Sequence, residues 1–116
     1  VPILNEGEIY LGAIICGESA HRHHTILLPG DVENKTWKQA MKWAADQGGE
    51  LPNRVEQALL FATLKSEFQE SAYWSNSQHA VFSDFAWCQN FGSGSQYNYT
   101  THFKLRARAV RRLIIQ

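Results

Sequence analysis

The chain has 116 residues, of which 44% are hydrophobic and 19% charged, and eleven basic side chains balance eleven acidic ones. This length predicts a single domain spanning residues 1–116, with enough chain to bury a core without metal or disulfide support. A net charge of zero disfavours nucleic acid and anionic membrane surfaces as partners, because no overall field attracts them. No apolar run approaches the ~20 residues of a membrane-spanning helix, and no secretory signal pattern is present.

The two cysteines, Cys16 and Cys88, lie in an apolar run and an aromatic run. Two buried free thiols are the favoured interpretation, with a single disulfide and a catalytic cysteine as the alternatives. This usage indicates a reducing cytoplasm. The chain begins at Val1 and its one Met is Met41, so either an initiator Met was removed or the sequence is a fragment.

The first third of the chain has the composition of β-strands. Residues 8–16 are apolar and β-branched, and residues 24–28 form a second short run that ends at the turn signal of residues 29–31. The polar stretch 17–23 between them predicts a hairpin loop.

Two helices are predicted next, each from a local start signal. Thr36 and Gln39 have the capping-box spacing, and Gly48-Gly49 ends that helix because glycine adopts the left-handed conformation without a Cβ clash. A second start signal at residues 53–56 opens a helix that ends near residues 65–68. The expected apolar faces are Trp37, Ala40, Met41 and Ala44 in the first helix, and Val55, Ala58, Leu59, Ala62 and Leu64 in the second.

The remainder predicts β structure. Strands are expected at residues 72–75, 85–91, 96–100 and 105–115, with a turn at residues 92–95. Trp74 and Trp87 are expected in the core, and Trp43 on a partly exposed side of the first helix. In the last strand, Leu105, Ala107 and Ala109 are expected on one face and Arg106 and Arg108 on the other.

An ordered set of motifs then becomes recognisable. It reads Gly-Gly-Glu-Leu-Pro-Asn-Arg-Val-Glu at residues 48–56, Tyr-Trp-Ser at 73–75, Ala-Trp-Cys-Gln-Asn-Phe-Gly at 86–92 and Arg-Ala-Val-Arg at 108–111. From residue 36 to residue 113 the chain resembles the DUF1566 type of bacterial and phage domains, which have a C-type-lectin-like fold. The resemblance implies an α+β fold in which two helices pack on small antiparallel sheets, beside a loop-rich half that varies between members.

Members of this family look like parts of phage and prophage proteins, surface proteins and adhesins, and they share no enzymatic activity that transfers to this chain. The sugar-binding lectins hold calcium through Glu-Pro-Asn or Gln-Pro-Asp and a later Trp-Asn-Asp. This chain has none of these triplets, so neither a calcium site nor any other metal or cofactor site is predicted. The histidines at 21, 23 and 24 are interpreted as part of a solvated hairpin loop rather than as metal ligands.

Two stretches, residues 76–85 and 93–103, are rich in Ser, Asn, Gln, Tyr and His and poor in charge. This composition is typical of recognition loops, although ordinary polar loops remain the alternative. The arginines of the last strand are expected either to pair with acidic residues or to contact a protein partner, with nucleic acid unlikely. The candidate binding residues are Gln78, His79, Phe82, Asp84, Gln96, Tyr97, Tyr99, His102, Arg106 and Arg108.

No nucleophile with a base and no phosphate-binding loop is found in the sequence, so a non-enzymatic binding module is predicted. By the resemblance, it is phage- or prophage-encoded and contacts a host protein or glycan, in the cytoplasm of the bacterial host or on a virion. The alternative is a small phage inhibitor of a host defence or regulatory enzyme, similar in role to an anti-CRISPR protein.

Overall fold

The computed structural model describes residues 2–15 and 22–115, and within them it confirms the predicted α+β class. Cys16 and His21 therefore lie outside the described residues, as does most of the predicted hairpin loop. A 3-10 turn, Lys65–Glu67, follows the second helix. The other elements are β1 (Ile9–Ile15), β2 (Arg22–Leu27), β3 (Val32–Lys35), α1 (Trp37–Asp46), α2 (Arg54–Leu64), β4 (Ala72–Gln78), β5 (Phe85–Asn90), β6 (Gln96–Thr100), β7 (Leu105–Ala107) and β8 (Val110–Ile114).

The strands form two sheets. The smaller sheet has the order β1-β2-β8 and is antiparallel, and the larger has the order β3-β7-β4-β5-β6 with a parallel contact between β4 and β7. The single strand predicted for residues 105–115 is wrong, because the chain leaves one sheet after Ala107 and enters the other at Val110. Strand β6 lies at an edge of the larger sheet.

The larger sheet is covered on both faces, as the side chains of β4 show. Trp74 packs in a core with Ala40 and Ala44 of α1, whereas its neighbour Tyr73 packs in a second core with Leu60 of α2. Successive strand residues point to opposite faces, so α1 lies on one face of this sheet. Helix α2 and the smaller sheet lie on the other, which we call the α2 face.

Helix α1 begins as predicted. The Thr36 side chain accepts a hydrogen bond from the Gln39 amide, and the Gln39 side chain accepts one from the Thr36 amide, which satisfies two of the amides left unpaired at a helix start. Ala40 and Ala44 are fully buried, but Met41 is 38% exposed and lies outside the core. Trp43 is half-buried and packs against the core.

Helix α2 also begins at its predicted capping box, but its predicted apolar face is wrong except at Leu64, which is half-buried against the second core. Val55 is 53% exposed and Leu59 39% exposed, while Glu56, Gln57 and Leu60 are fully buried. The pattern of apolar residues therefore marks the outward side of this helix, and two polar side chains face the interior.

A polar network around Glu56 explains why this side of α2 faces the interior. Its carboxylate accepts hydrogen bonds from Nε and Nη2 of Arg112, at 2.8 and 2.6 Å, and from the Thr25 hydroxyl at 3.0 Å. It also accepts the Asn53 amide and lies 3.2 Å from Nε2 of His23. These contacts tie the start of α2 to β2 and β8 of the smaller sheet.

Burial by itself would raise the pKa of Glu56, because a charged carboxylate loses its hydration. The hydrogen bonds from Arg112 and from the Asn53 amide outweigh burial, and the net effect is a pKa below the ordinary value. The group is therefore held as a carboxylate, and each of its partners is a donor suited to that charge.

Three further features differ from the sequence expectations for physical reasons. Strand β3 was not predicted, because its sequence, Val-Glu-Asn-Lys, carries no apolar alternation. His23 lies on β2 instead of in the predicted loop, because the strand begins two residues earlier than expected. His24 lies on the strand as predicted, and its ring pairs with the Tyr10 hydroxyl at 2.9 Å. Trp87 is only partly buried, since it points to the α2 face while its neighbours in β5 fill the α1 core.

Within the described residues, no helix is both long and apolar enough to cross a bilayer.

Replacing Glu56 by Gln is expected to lower the free energy of unfolding by about 3 kcal/mol, because the largely buried Arg112 would lose its buried counter-ion and keep only an exposed one. Glu50 is the matched control, since it also pairs with Arg112 at 2.7 Å but is 66% exposed. The Glu50→Gln change should cost under about 1 kcal/mol. Urea unfolding monitored by tryptophan fluorescence measures both, and equal losses would contradict the role given to Glu56.

Candidate functional site

The loop between β4 and β5 is fixed by its own hydrogen bonds. The Nδ1 atom of His79 accepts from the amides of Val81 and Phe82, both at 3.1 Å, and the His79 amide donates to the Phe85 carbonyl at 2.9 Å. The Gln78 side chain donates to the Ser83 carbonyl at 2.7 Å. A short loop with this many internal bonds loses little conformational entropy when it binds a partner.

This loop displays apolar side chains at its tip. Val81 is 76% exposed and Phe82 is 61% exposed. Behind them, His79, Phe82, Phe85 and Asn98 line a cleft of about 390 Å³, which we call the loop cleft. The Asn98 Oδ1 atom is buried and has no hydrogen-bond partner among the described residues.

A second and larger cleft, of about 670 Å³, lies on the same face beside α2, and we call it the helix cleft. Its walls are the outward side of α2 and the residues at the start of β6. The lining residues are Arg54, Val55, Ala58, Leu59, Phe61, Gln89, Gly94 and Gln96.

Arg54 connects the two clefts. Its guanidinium lies 3.5 Å from the centre of the Trp87 ring, a cation–π contact, and its Nε donates to Oε1 of Gln96 at 3.1 Å. The Gln96 side chain donates in return to the Arg54 carbonyl and to Oε1 of Gln89, at 2.7 and 2.8 Å. Trp87 also lies parallel to His79, with ring centres 6.3 Å apart. The two clefts are thus parts of one continuous polar and aromatic surface.

The register of β5 and β6 decides which β6 side chains reach this surface. Asn98 is opposite Trp87 and Gln96 is opposite Gln89, so both lie on the α2 face. Tyr97 and Tyr99 alternate with them and pack against the α1 core. The two tyrosines, although predicted as binding residues, line neither cleft.

The other predicted residues are placed as follows. Asp84 is exposed, and its carbonyl accepts the Thr101 amide at 2.8 Å. His102 is exposed just beyond β6 and lines a third cleft, of about 430 Å³, with Thr36, Lys38 and Thr101. We call this the basic cleft.

Arg106 and Arg108 lie away from these clefts and are engaged inside the fold. Arg106 pairs with Asp31 at 2.9 Å and with Glu33 at 3.3 Å. Arg108 is 7% exposed, and its two terminal nitrogens donate to the carbonyls of Leu28 and Glu67. The expected pairing with acidic residues is confirmed for Arg106. It is wrong for Arg108, whose guanidinium is held by backbone carbonyls instead.

Cys88 is confirmed as a buried free thiol. Its sulfur donates to the Tyr97 carbonyl at 3.4 Å, and burial raises its pKa to about 12. A thiol with this pKa is almost wholly protonated near neutral pH, so it has none of the thiolate character that a nucleophile needs. Among residues 2–15 and 22–115, no three His, Cys, Asp or Glu side chains are grouped as metal ligands would be.

Sequence reasoning missed several residues of this surface: Arg54, Val55, Leu59, Phe85, Trp87 and Asn98. Strand parity could have found two of them. Once Cys88 is placed in the core, Trp87 must point to the other face, and the pairing across the Gly-Ser-Gly-Ser turn then puts Asn98 beside it. No sequence signal gives the rotation of α2, which depends on the distant Arg112.

Comparison of the chain with family models found no matching family, and a search of curated proteins found no matching relative.

The raised pKa of Cys88 predicts that iodoacetamide will not label it at pH 8 in the folded protein, because the reactive thiolate is scarce and enclosed. In 8 M urea it should label fully within the same time. Peptide mass mapping measures the labelling of Cys88 separately from that of Cys16, and the sample in urea is the control. Rapid labelling of folded Cys88 would revive the catalytic interpretation.

Proposed function

We propose that this chain is a non-enzymatic binding module that contacts another macromolecule through the α2 face. The observation that carries the proposal is the loop after β4, which its own hydrogen bonds hold in place while it exposes Val81 and Phe82 beside an aromatic cleft. Exposed apolar side chains on a fixed scaffold, next to a cleft, are typical of interaction surfaces.

A protein is favoured over a glycan as the partner. Glycans bind by stacking on the open face of an aromatic ring, but the guanidinium of Arg54 covers a face of Trp87 at 3.5 Å. The exposed apolar groups are the side chains of Val81 and Phe82 and the aliphatic wall formed by Val55 and Leu59. These groups match apolar side chains of a protein better than the hydroxyl-rich surface of a sugar.

The resemblance to DUF1566-type domains with a C-type-lectin-like fold supports a bacterial host as the source of that partner. On this basis we propose a phage or prophage origin, and action in the host cytoplasm or on a virion. Both parts of the proposal depend on the motif set in residues 36–113 and on no feature of the clefts.

A second function, inhibition of a host enzyme, is favoured by one specific observation. The rigid loop projects Phe82 outward, and protein inhibitors commonly insert a preorganised loop into the site they block. An inhibitor would lower the activity of its target in stoichiometric proportion, whereas an adhesive module would leave the activity of its target unchanged.

The proposed function predicts that a photocrosslinker at position 82 will capture a partner from bacterial lysate. Phe82→p-benzoylphenylalanine should give one dominant crosslinked species on irradiation, because this side chain would lie in the interface. Protease treatment of the lysate should remove that species, and periodate, which destroys glycans, should not.

Phe103 supplies the matched control, since it is similarly exposed, at 53%, but packs beside Tyr99 away from both clefts. Phe103→p-benzoylphenylalanine should not give the same species. Equal capture from both positions, or capture from neither, would contradict the placement of the interface on the α2 face.

A further inference from the structure

The open edge of β6 carries unpaired backbone groups. The amides of Asn90 and Thr101 donate to the carbonyls of Ser95 and Asp84, so the odd-numbered residues of β6 direct their backbone groups toward β5. In an antiparallel ladder these directions alternate. The N–H and C=O groups of Gln96 and Asn98 therefore point away from the sheet, and no described residue pairs with them.

The same two residues line the two clefts. Gln96 lies in the wall of the helix cleft and Asn98 in the wall of the loop cleft. Residues two apart in a strand are separated by roughly 6.6 Å and share a face of the sheet. A strand added along β6 would place alternate side chains on the α2 face, one beside each cleft.

Each cleft selects a kind of side chain. The loop cleft has three aromatic rings in its wall, from His79, Phe82 and Phe85, and suits an aromatic or large aliphatic group. The helix cleft is bounded by Val55 and Leu59 and suits an aliphatic group. Apolar residues at positions i and i+2 of an extended segment meet both requirements.

The charged residues near the end of β6 indicate which kind of residue precedes the two apolar residues of the segment. Beyond the C-terminal end of β6, Lys38 and His102 line the basic cleft. A segment that runs antiparallel to β6 brings its N-terminal end to this place. Asp84 is also near this end of β6. Its backbone carbonyl accepts the Thr101 amide, so Asp84 lies on the β5 side of the strand, opposite the open edge.

We infer that β6 accepts an extended segment of a partner protein as an additional antiparallel strand. The segment has an acidic residue two or three positions before an aromatic or large aliphatic residue, and an aliphatic residue two positions after it. This inference rests on the proposed function and specifies its partner. Main-chain hydrogen bonds supply affinity, and the two clefts supply specificity.

The test uses the peptide acetyl-Asp-Glu-Ser-Phe-Thr-Leu-Thr-amide, whose Phe and Leu would lie opposite Asn98 and Gln96. Amide hydrogen exchange is followed by NMR in the complete chain, with and without saturating peptide. Exchange at Gln96 and Asn98 should slow by about tenfold or more, because these amides gain partners. The amides of Tyr97 and Tyr99 already bond to β5 and should not change, which gives an internal control.

A proline at position 98 tests the edge directly. Asn98→Pro removes the outward N–H while leaving the bonds to β5 in place, and proline is tolerated at such edge positions. Binding measured by titration calorimetry should weaken by about tenfold, whereas Asn98→Ala, which keeps the amide, should weaken it less. If Asn98→Pro does not fold, N-methylation of the peptide Phe tests the same pairing with the unaltered protein and should weaken binding equally.

A peptide with Lys in place of Asp and Glu should bind several-fold more weakly at low salt, since it would face Lys38 and His102. Failure of the peptide to bind, binding that leaves exchange at Gln96 and Asn98 unchanged, or binding indifferent to N-methylation would each overturn the inference. So would protection of the same amides at rising protein concentration without peptide, which indicates a second copy as the occupant. If position 82 captures a partner but exchange at Gln96 and Asn98 does not slow, strand addition is refuted and the proposed binding function is not.

Discussion

The buried pairing of Glu56 with Arg112 is the constraint on which the candidate site depends. It joins the first turn of α2 to β8, a strand 56 residues further along the chain, and it fixes which side of the helix faces the interior. Because a carboxylate and an amide occupy the inward positions of that turn, Val55 and Leu59 face outward. The apolar wall of the helix cleft is thus a consequence of an ion pair placed on the opposite side of the helix.

The same rotation sets the position of Arg54, the first residue of α2. One position before Val55, its guanidinium reaches across to Trp87 and Gln96, and it closes the gap between the helix and the edge of the larger sheet. Gly94 lies in this region with φ +83°, a conformation natural to glycine, and a Cβ there would meet the ring of Phe61 at 2.8 Å. A helix rotated by one position would lose this junction, so the two clefts are coupled to the core through Glu56.

Local chemistry predicted much of the fold. Both helix starts, the limits of β6 and the turn before it follow from capping residues, glycines and alternation, which act over a few residues. The rotation of α2 and the break of the last strand could not be found in this way. They depend on Arg112 and on the contact of Val110 with Glu50, which join segments far apart in sequence. At the site, composition predicts the loop of His79 and Phe82. Composition does not separate the two faces of β6, so it wrongly places Tyr97 and Tyr99 at the site, whereas they pack against the α1 core.

An open edge strand is a hazard in a small protein, because unpaired backbone groups invite association with other chains. Here the open stretch is short. The Thr100 carbonyl accepts the Phe103 amide at 3.1 Å, and the Gly94 amide turns back to the Asn90 carbonyl at 2.8 Å. Between these two hydrogen bonds, only Gln96 and Asn98 offer both an outward-pointing backbone N–H and an outward-pointing C=O. Four backbone bonds give little affinity without side-chain contacts, so an arbitrary strand gains little from this edge, whereas a segment that also fills both clefts gains the apolar burial that makes binding selective.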